Sequence, residues 1–145
     1  MSEKKEQKIV VFTTLTPADK NLILNGVKLA SVFQKELCLV YLLTRSEKHN
    51  SDRIKHKLVE YTIPLNQEIP FLKTSVLLIN EHIRDVPDML ADEYEAILLI
   101  AGSKLFKKFS KAVTESPVPF LFVDTDTPVS SFKTIVLPVD LRKEN

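Results

Sequence analysis

Five short apolar runs punctuate the chain, at Lys8 to Thr13, Glu36 to Thr44, Leu72 to Asn80, Ala96 to Ala101 and Phe120 to Asp124. Most are apolar on successive residues rather than on alternate ones. A strand with one wet face alternates, so runs of this kind are buried on both faces, as in a parallel sheet covered by helices. The stretches between them have helical spacing. Thr16 can cap the first helix, Pro17 suits its first position and Asp19 favours the positive end of its dipole, with Ile23, Val27, Ala30 and Phe33 on one face. A second helix is expected from about Ser51 to Tyr61, with Ile54, Leu58 and Tyr61 inward, and Pro64 ends it. Asp85 can cap a third through Val86, Met89, Leu90 and Tyr94, with Pro87 in its first turn. A fourth carries Leu105, Phe109, Ala112 and Val113 before Pro117 stops it. This alternation predicts an α/β fold, a doubly wound five-stranded parallel sheet with helices on both faces and any ligand at the carboxyl ends of the strands.

Near the C-terminus, Thr134 to Asp140 (Thr-Ile-Val-Leu-Pro-Val-Asp) rewrites Lys8 to Thr14 (Lys-Ile-Val-Val-Phe-Thr-Thr), so the chain begins the same unit twice. At the last aligned position an acid, Asp140, replaces the hydroxyl of Thr14. The intervening Thr125 to Phe132 has the Thr, Asp, Pro and Ser chemistry of a linker. One domain is therefore expected over residues 1–128. Residues 129–145 would form a linker and an extra C-terminal strand that opens a second, truncated unit.

Composition excludes more than it assigns. A chain of 145 residues, 44% hydrophobic, can bury one core, and a net charge of +1 supplies no long-range field to gather nucleic acid or an anionic membrane. Its apolar runs are too short to cross a bilayer, and the expectation is a soluble, cytoplasmic protein. Cys38, the single cysteine, cannot form an internal disulfide and reads as a core residue, while His49, His56 and His82 show no zinc spacing. No metal site and no cofactor are expected. Neither a Ser-His-Asp nor a Cys-His pair can be assembled, so there is no catalytic residue to name and the chain is not read as an enzyme. A response regulator needs paired acids after the first strand and a lysine after the fifth, where this chain has Thr13-Thr14 and Asp124-Thr125. Gly26 and Gly102 are the only glycines, so no glycine-rich phosphate cradle can be built.

In order and spacing, these pieces resemble the universal stress protein family from about Lys8 to Val123. The matching features are the opening Ile-Val-Val strand, a long helix leading into Glu36-Leu-Cys-Leu-Val-Tyr-Leu-Leu43, and an Asp85 to Asp92 helix leading into Glu95-Ala-Ile-Leu-Leu-Ile-Ala-Gly-Ser103. The closing Ser116-Pro-Val-Pro-Phe-Leu-Phe-Val123 also matches, and the repeated strand looks like the start of another such domain. The resemblance implies the fold and a tandem arrangement, of which this chain is the N-terminal half or a fragment. In nucleotide-binding members an acid ends the first strand and a long glycine-containing loop follows the fourth. Here Thr14 stands at the acid's position, Leu105 replaces the second glycine, and the span from Gly102 to Pro119 is shorter by about one phosphate loop. Without that loop the backbone donors for a triphosphate are gone, which argues against ATP binding by this half.

Several positions still invite a ligand. Thr13, Thr14 and Thr16 crowd hydroxyls at the start of the first helix, where free amides attract anions, although Thr16 also reads as a plain cap and Thr13 as a strand residue. Gly102 and Ser103 fall at the expected switch point beside the first strand; alternatively Gly102 only permits a tight turn with φ > 0. Leu42 stands where the family contacts adenine through its backbone, or it is core. Lys104, Lys107, Lys108 and Lys111 form a basic stripe that an acidic partner or a polyphosphate could use, but with no interleaved stacking aromatics a solvated face is the commoner explanation. The function expected is non-catalytic. A domain with a degenerate nucleotide site would act in stress response through a homodimer at edge strands Phe120 to Asp124 and Thr134 to Val139, or through another partner. The alternative is a receptor for a nucleotide or small phosphorylated ligand at Thr13, Thr14, Leu42, Gly102 and Ser103.

Overall fold

A computed structural model describes residues 6–124. Its strands are β1 (Lys8–Phe12), β2 (Glu36–Leu42), β3 (Thr74–Ile79), β4 (Ala96–Gly102) and β5 (Phe120–Val123), and its helices are α1 (Lys20–Phe33), α2 (Ser51–Glu68), α3 (Val86–Tyr94) and α4 (Phe106–Glu115). All strand pairs are parallel, in the order β3-β2-β1-β4-β5. The expected α/β architecture is the observed one. The linker and the repeated strand from Thr134 lie outside the described residues, as does the boundary at 128.

Buried strands carry apolar groups both ways because the sheet has a helical layer on each side. On one side Ile9, Val11, Leu37 and Leu39 meet Leu22, Ile23 and Val27 of α1 and Leu58 of α2. On the other, Val10, Phe12, Val40 and Leu99 meet Val86 and Leu90 of α3 and Phe109 and Ala112 of α4. Alternate residues of each strand thus serve opposite cores. The second core is strongly aromatic, with Phe12 and Phe109 rings 4.9 Å apart and Phe120 5.3 Å from Phe109. Cys38 is buried, and that burial pushes its thiol upward against the lowering effect of its hydrogen bond to Ser75.

Gly26, in the middle of α1, has a packing role. A Cβ there would run into Cγ2 of Val11, so the bare backbone lets α1 lie close on β1. Register between β1 and β4 shifts after Lys8, which faces Ala96 while Ile9 already faces Leu98. Ile97 is the extra residue of that irregularity.

Helix ends depart from expectation in informative ways. A 3-10 turn, Pro17–Asp19, precedes α1, and Thr16 holds the extended cap conformation (φ −114, ψ 157) without a side-chain capping bond. Asp85 likewise makes no such bond at α3. Phe33 is not part of the inward face: it is 53% exposed, since the helix is by then past the edge of its core. Pro64 does not stop α2, which continues to Glu68. The carbonyl that Pro64 leaves unpaired belongs to Glu60; both residues are exposed, so water can satisfy it while Leu58 and Thr62 hold the helix inward.

Candidate functional site

Strand order reverses between β1, whose connection leads to β2, and β4 on its other side. A crevice therefore opens at the carboxyl ends of these two strands. Thr13 follows β1, and its amide donates to the Val40 carbonyl at 2.9 Å, keeping it tied to β2. Beyond it the chain must turn back onto α1. Leu15 does this in the left-handed region, at φ 61, which costs a non-glycine residue on the order of 1 kcal/mol. The Leu15 amide donates to Thr13 Oγ1 at 3.1 Å and supports the turn.

This reversal brings Asp19 to the end of β1. Thr13 Oγ1 donates to Asp19 Oδ2 at 2.6 Å, Thr14 Oγ1 donates to the same oxygen at 3.0 Å, and the Thr14 amide donates to it as well. Asp19 and Thr13 are both buried. Thr14 is exposed, and its hydroxyl also lies 3.1 Å from that of Thr16. The hydroxyls expected to await an anion thus surround a carboxylate from within the chain. Asp19, five residues on, brings a carboxylate beside Thr14, but its Oδ2 is already taken by the two threonine hydroxyls and the Thr14 amide, so it is not the open acid that the resemblance places at the end of the first strand. Sequence reading assigned Asp19 only to the helix dipole; the signal that could have found it was an acid closing a Thr-Thr-x-Thr turn, a motif for local side-chain to backbone bonding.

Gly102 ends β4 with φ −68 and ψ 148, a conformation open to any residue, so the turn does not require glycine's positive φ. The chain passes straight into a 3-10 turn, Ser103–Leu105, and then α4. Ser103 is exposed, and Leu42 is half-buried against the α3 and α4 core. Two cavities flank Thr14. One of about 200 Å³ is lined by Thr14, Thr16, Asp19, Gly102 and Lys104 among others, and a smaller one of about 110 Å³ by Thr13, Thr14, Tyr41, Leu42, Glu47 and Lys108. Thr14 is shared by the two cavities, Thr13 and Leu42 line the smaller, Gly102 the larger, and Ser103 neither.

A second cluster lines the smaller cavity. Tyr41 donates its hydroxyl to Glu47 Oε2 at 2.6 Å, while the Thr44 amide donates to Glu47 Oε1 at 2.9 Å and the Thr44 side chain completes a capping box. Partial burial, and then the Glu47 carboxylate, push the Tyr41 phenol up to about 12. The hydrogen bond from Tyr41 is the main cause holding Glu47 below its ordinary value, followed by the Thr44 amide, with the Lys108 charge adding to it. Thr44-x-x-Glu47 was legible as a capping box and was overlooked.

The histidines point elsewhere. His56 is exposed and pairs with Glu60 at 3.2 Å, and His82 Nδ1 accepts the Arg84 amide at 3.3 Å. Among the described residues no group of three or more His, Cys, Asp or Glu side chains could hold a metal ion, and no helix is long and apolar enough to cross a membrane.

No family profile matches the sequence, and no curated protein does. Solved structures do. A universal stress protein in complex with cAMP aligns with a TM-score of 0.60 and 16% identity, over 84% of this chain and 99% of that one. The universal stress protein from Archaeoglobus fulgidus in complex with dAMP gives 0.64 and 18%, over 81% and 98%. A member of the family from Burkholderia pseudomallei gives 0.63 and 13%, over 80% and 94%. This is the universal stress protein fold. At such identities the likeness speaks for the backbone, and site residues must be judged on their own chemistry.

Proposed function

We propose that the chain is a non-catalytic universal-stress-protein-like domain with a degenerate nucleotide site, acting in stress response through dimerisation or partner binding in the cytoplasm. The observation that carries this reading is the Asp19 carboxylate held by Thr13 and Thr14. A phosphate approaching the start of α1 would meet a negative charge that already uses the donors it needs. The larger cavity, about 200 Å³, is also below the roughly 300–1,000 Å³ usual for small-molecule sites.

Dimerisation has its own support. β5 is the last strand of the sheet, and no described strand covers its outer edge, where backbone groups are open to pairing. Phe122 on β5 is half-buried, and Phe106, 51% exposed, packs edge-on against it at 5.1 Å. We read Phe120–Val123 as one half of a two-fold contact, to which Thr134 to Val139 would add a strand, with the chain belonging to a tandem pair. Light scattering tests this. The full chain should run as a dimer, and a version cut after Pro128 that keeps the same mass would remove any role for the repeated strand.

The second reading, a receptor for a nucleotide or small phosphorylated ligand, is favoured by the crevice itself and by the cAMP and dAMP held by two structures of the same fold. A melting panel with ATP, AMP, cAMP and inorganic phosphate separates the two. Flat curves support the assembly reading, and a saturable rise of several degrees with any nucleotide overturns it.

A further inference from the structure

α3 and α4 lie side by side over one face of the sheet, sharing the core around Phe109 and Leu90. Their outer surfaces carry opposite charge. On α3 and the turn before it, Asp85, Asp88 and Asp92 recur at three- and four-residue spacing, all exposed; residues 86–94 include no Lys or Arg, and Arg84 in the preceding turn is the one basic residue beside them. On α4 and its preceding turn, Lys104, Lys107, Lys108 and Lys111 are all exposed. The ion pairs Lys8–Glu36, His56–Glu60 and Lys73–Glu6 lie on other elements, and of the four lysines Lys108 also acts on Glu47 across the smaller cavity. Phe106, half-exposed beside Lys107, adds an apolar contact point and is an interleaved aromatic that the sequence reading did not find in this stripe.

We infer that this face is a self-complementary docking surface for a second copy of the chain, the acidic stripe of each α3 lying against the basic stripe of the other copy's α4. Charge decides the occupant. A nucleic acid or anionic membrane attracted by α4 is repelled by α3 alongside it, and a basic partner meets the converse problem. A two-fold axis between the helices satisfies both stripes at once, since an isologous contact places each patch opposite the other. Attraction across exposed lysines and aspartates is modest pair by pair, so the contact is of the weak, salt-sensitive kind that sets orientation and encounter rate. It uses the outer faces of α3 and α4 and not the strand edge, and meets the β5 contact only at Phe106.

Charge exchange tests it. One variant carries Asp85→Lys, Asp88→Lys and Asp92→Lys; a second carries Lys104→Glu, Lys107→Glu, Lys108→Glu and Lys111→Glu. Every substituted position is exposed, and circular dichroism checks that both variants fold. In sedimentation, each variant alone should self-associate at least about 10-fold more weakly than wild type, and an equimolar mixture should recover association, because each helix then faces its opposite again. Raising salt from about 50 to 500 mM should weaken the wild-type contact comparably. Wild-type association by either variant alone, or a mixture that fails to recover it, overturns the inference. Running the same series in a Phe122→Pro background, which removes an amide that faces away from β4 on the outer edge of β5, keeps the outcomes distinct: loss of the edge dimer leaves the charge-exchange pattern in place.

Discussion

Two strand-to-helix turns meet at the switch point, and they close by different means. The turn after β1 is dense with side-chain hydrogen bonds: Thr13, Thr14 and Asp19 bind one another, and Leu15 adopts a left-handed backbone. The turn after β4 holds Gly102 yet uses an ordinary φ of −68, with no side-chain cap, and winds directly into α4. Backbone strain thus sits on a leucine, not on the glycine. Stored local strain persists where the surroundings over-determine it, and here the surrounding bonds converge on one buried carboxylate.

Removing that carboxylate is the strongest way to break the contrast. Asp19→Ala leaves the buried Thr13 hydroxyl and the Thr14 amide without their acceptor and should cost about 3 kcal/mol in urea unfolding. If the same variant gains phosphate-dependent melting, the carboxylate is what excludes anions from the first turn. A loss near zero would mean that the first turn is held no more tightly than the second.

Glycine chemistry sharpens the comparison next. Gly26→Ala pushes a Cβ into Val11 and should cost about 2 kcal/mol through displaced packing. Gly102→Ala, with no positive φ to strain, should cost under about 1 kcal/mol by the same assay. Equal losses at both positions would show that Gly102 has a requirement beyond its backbone angles.

The Tyr41–Glu47 cluster, on the far side of Thr14, allows a milder test. Tyr41→Phe should lose about 1 kcal/mol, and an ultraviolet titration should show a phenol ionising at about 12 that the variant lacks. Because the folded phenol is raised, its contribution is complete below the ordinary value of 10 and disappears as pH rises through about 12. The smallest effect concerns Glu47. Its folded value is depressed, so its contribution is present above the unfolded value and fades as pH falls through the lower folded one. The stability difference between wild type and Glu47→Gln should therefore shrink in acid and hold at neutral pH.

Much of the fold could be read before any coordinates. Continuous apolar runs such as Leu37 to Val40 have one physical explanation, burial on both faces, and they lie in the central strands as expected. Errors fell where sequence signals are local and weak. Pro64 looked like a stop, but a proline whose freed carbonyl faces water is tolerated when the residues around it are packed. Phe33 fitted the helical period, yet period cannot tell where a helix outruns its core. Of the candidate site residues, Thr13, Thr14 and Leu42 line one cavity and Thr14 and Gly102 its neighbour, while Ser103 lines neither. Asp19, the residue that determines their chemistry, was assigned to the helix dipole because its partners depend on how the turn folds back.

Composition and pattern alone determined that this chain builds a parallel, helix-covered sheet without a glycine cradle, because side-chain burial and Cβ sterics act residue by residue. Only the tertiary structure decided which groups at the crevice are free and which are taken. Hydrogen bonds such as those from Thr13 and Thr14 to Asp19 depend on backbone angles several residues apart, and no spacing rule carries that information.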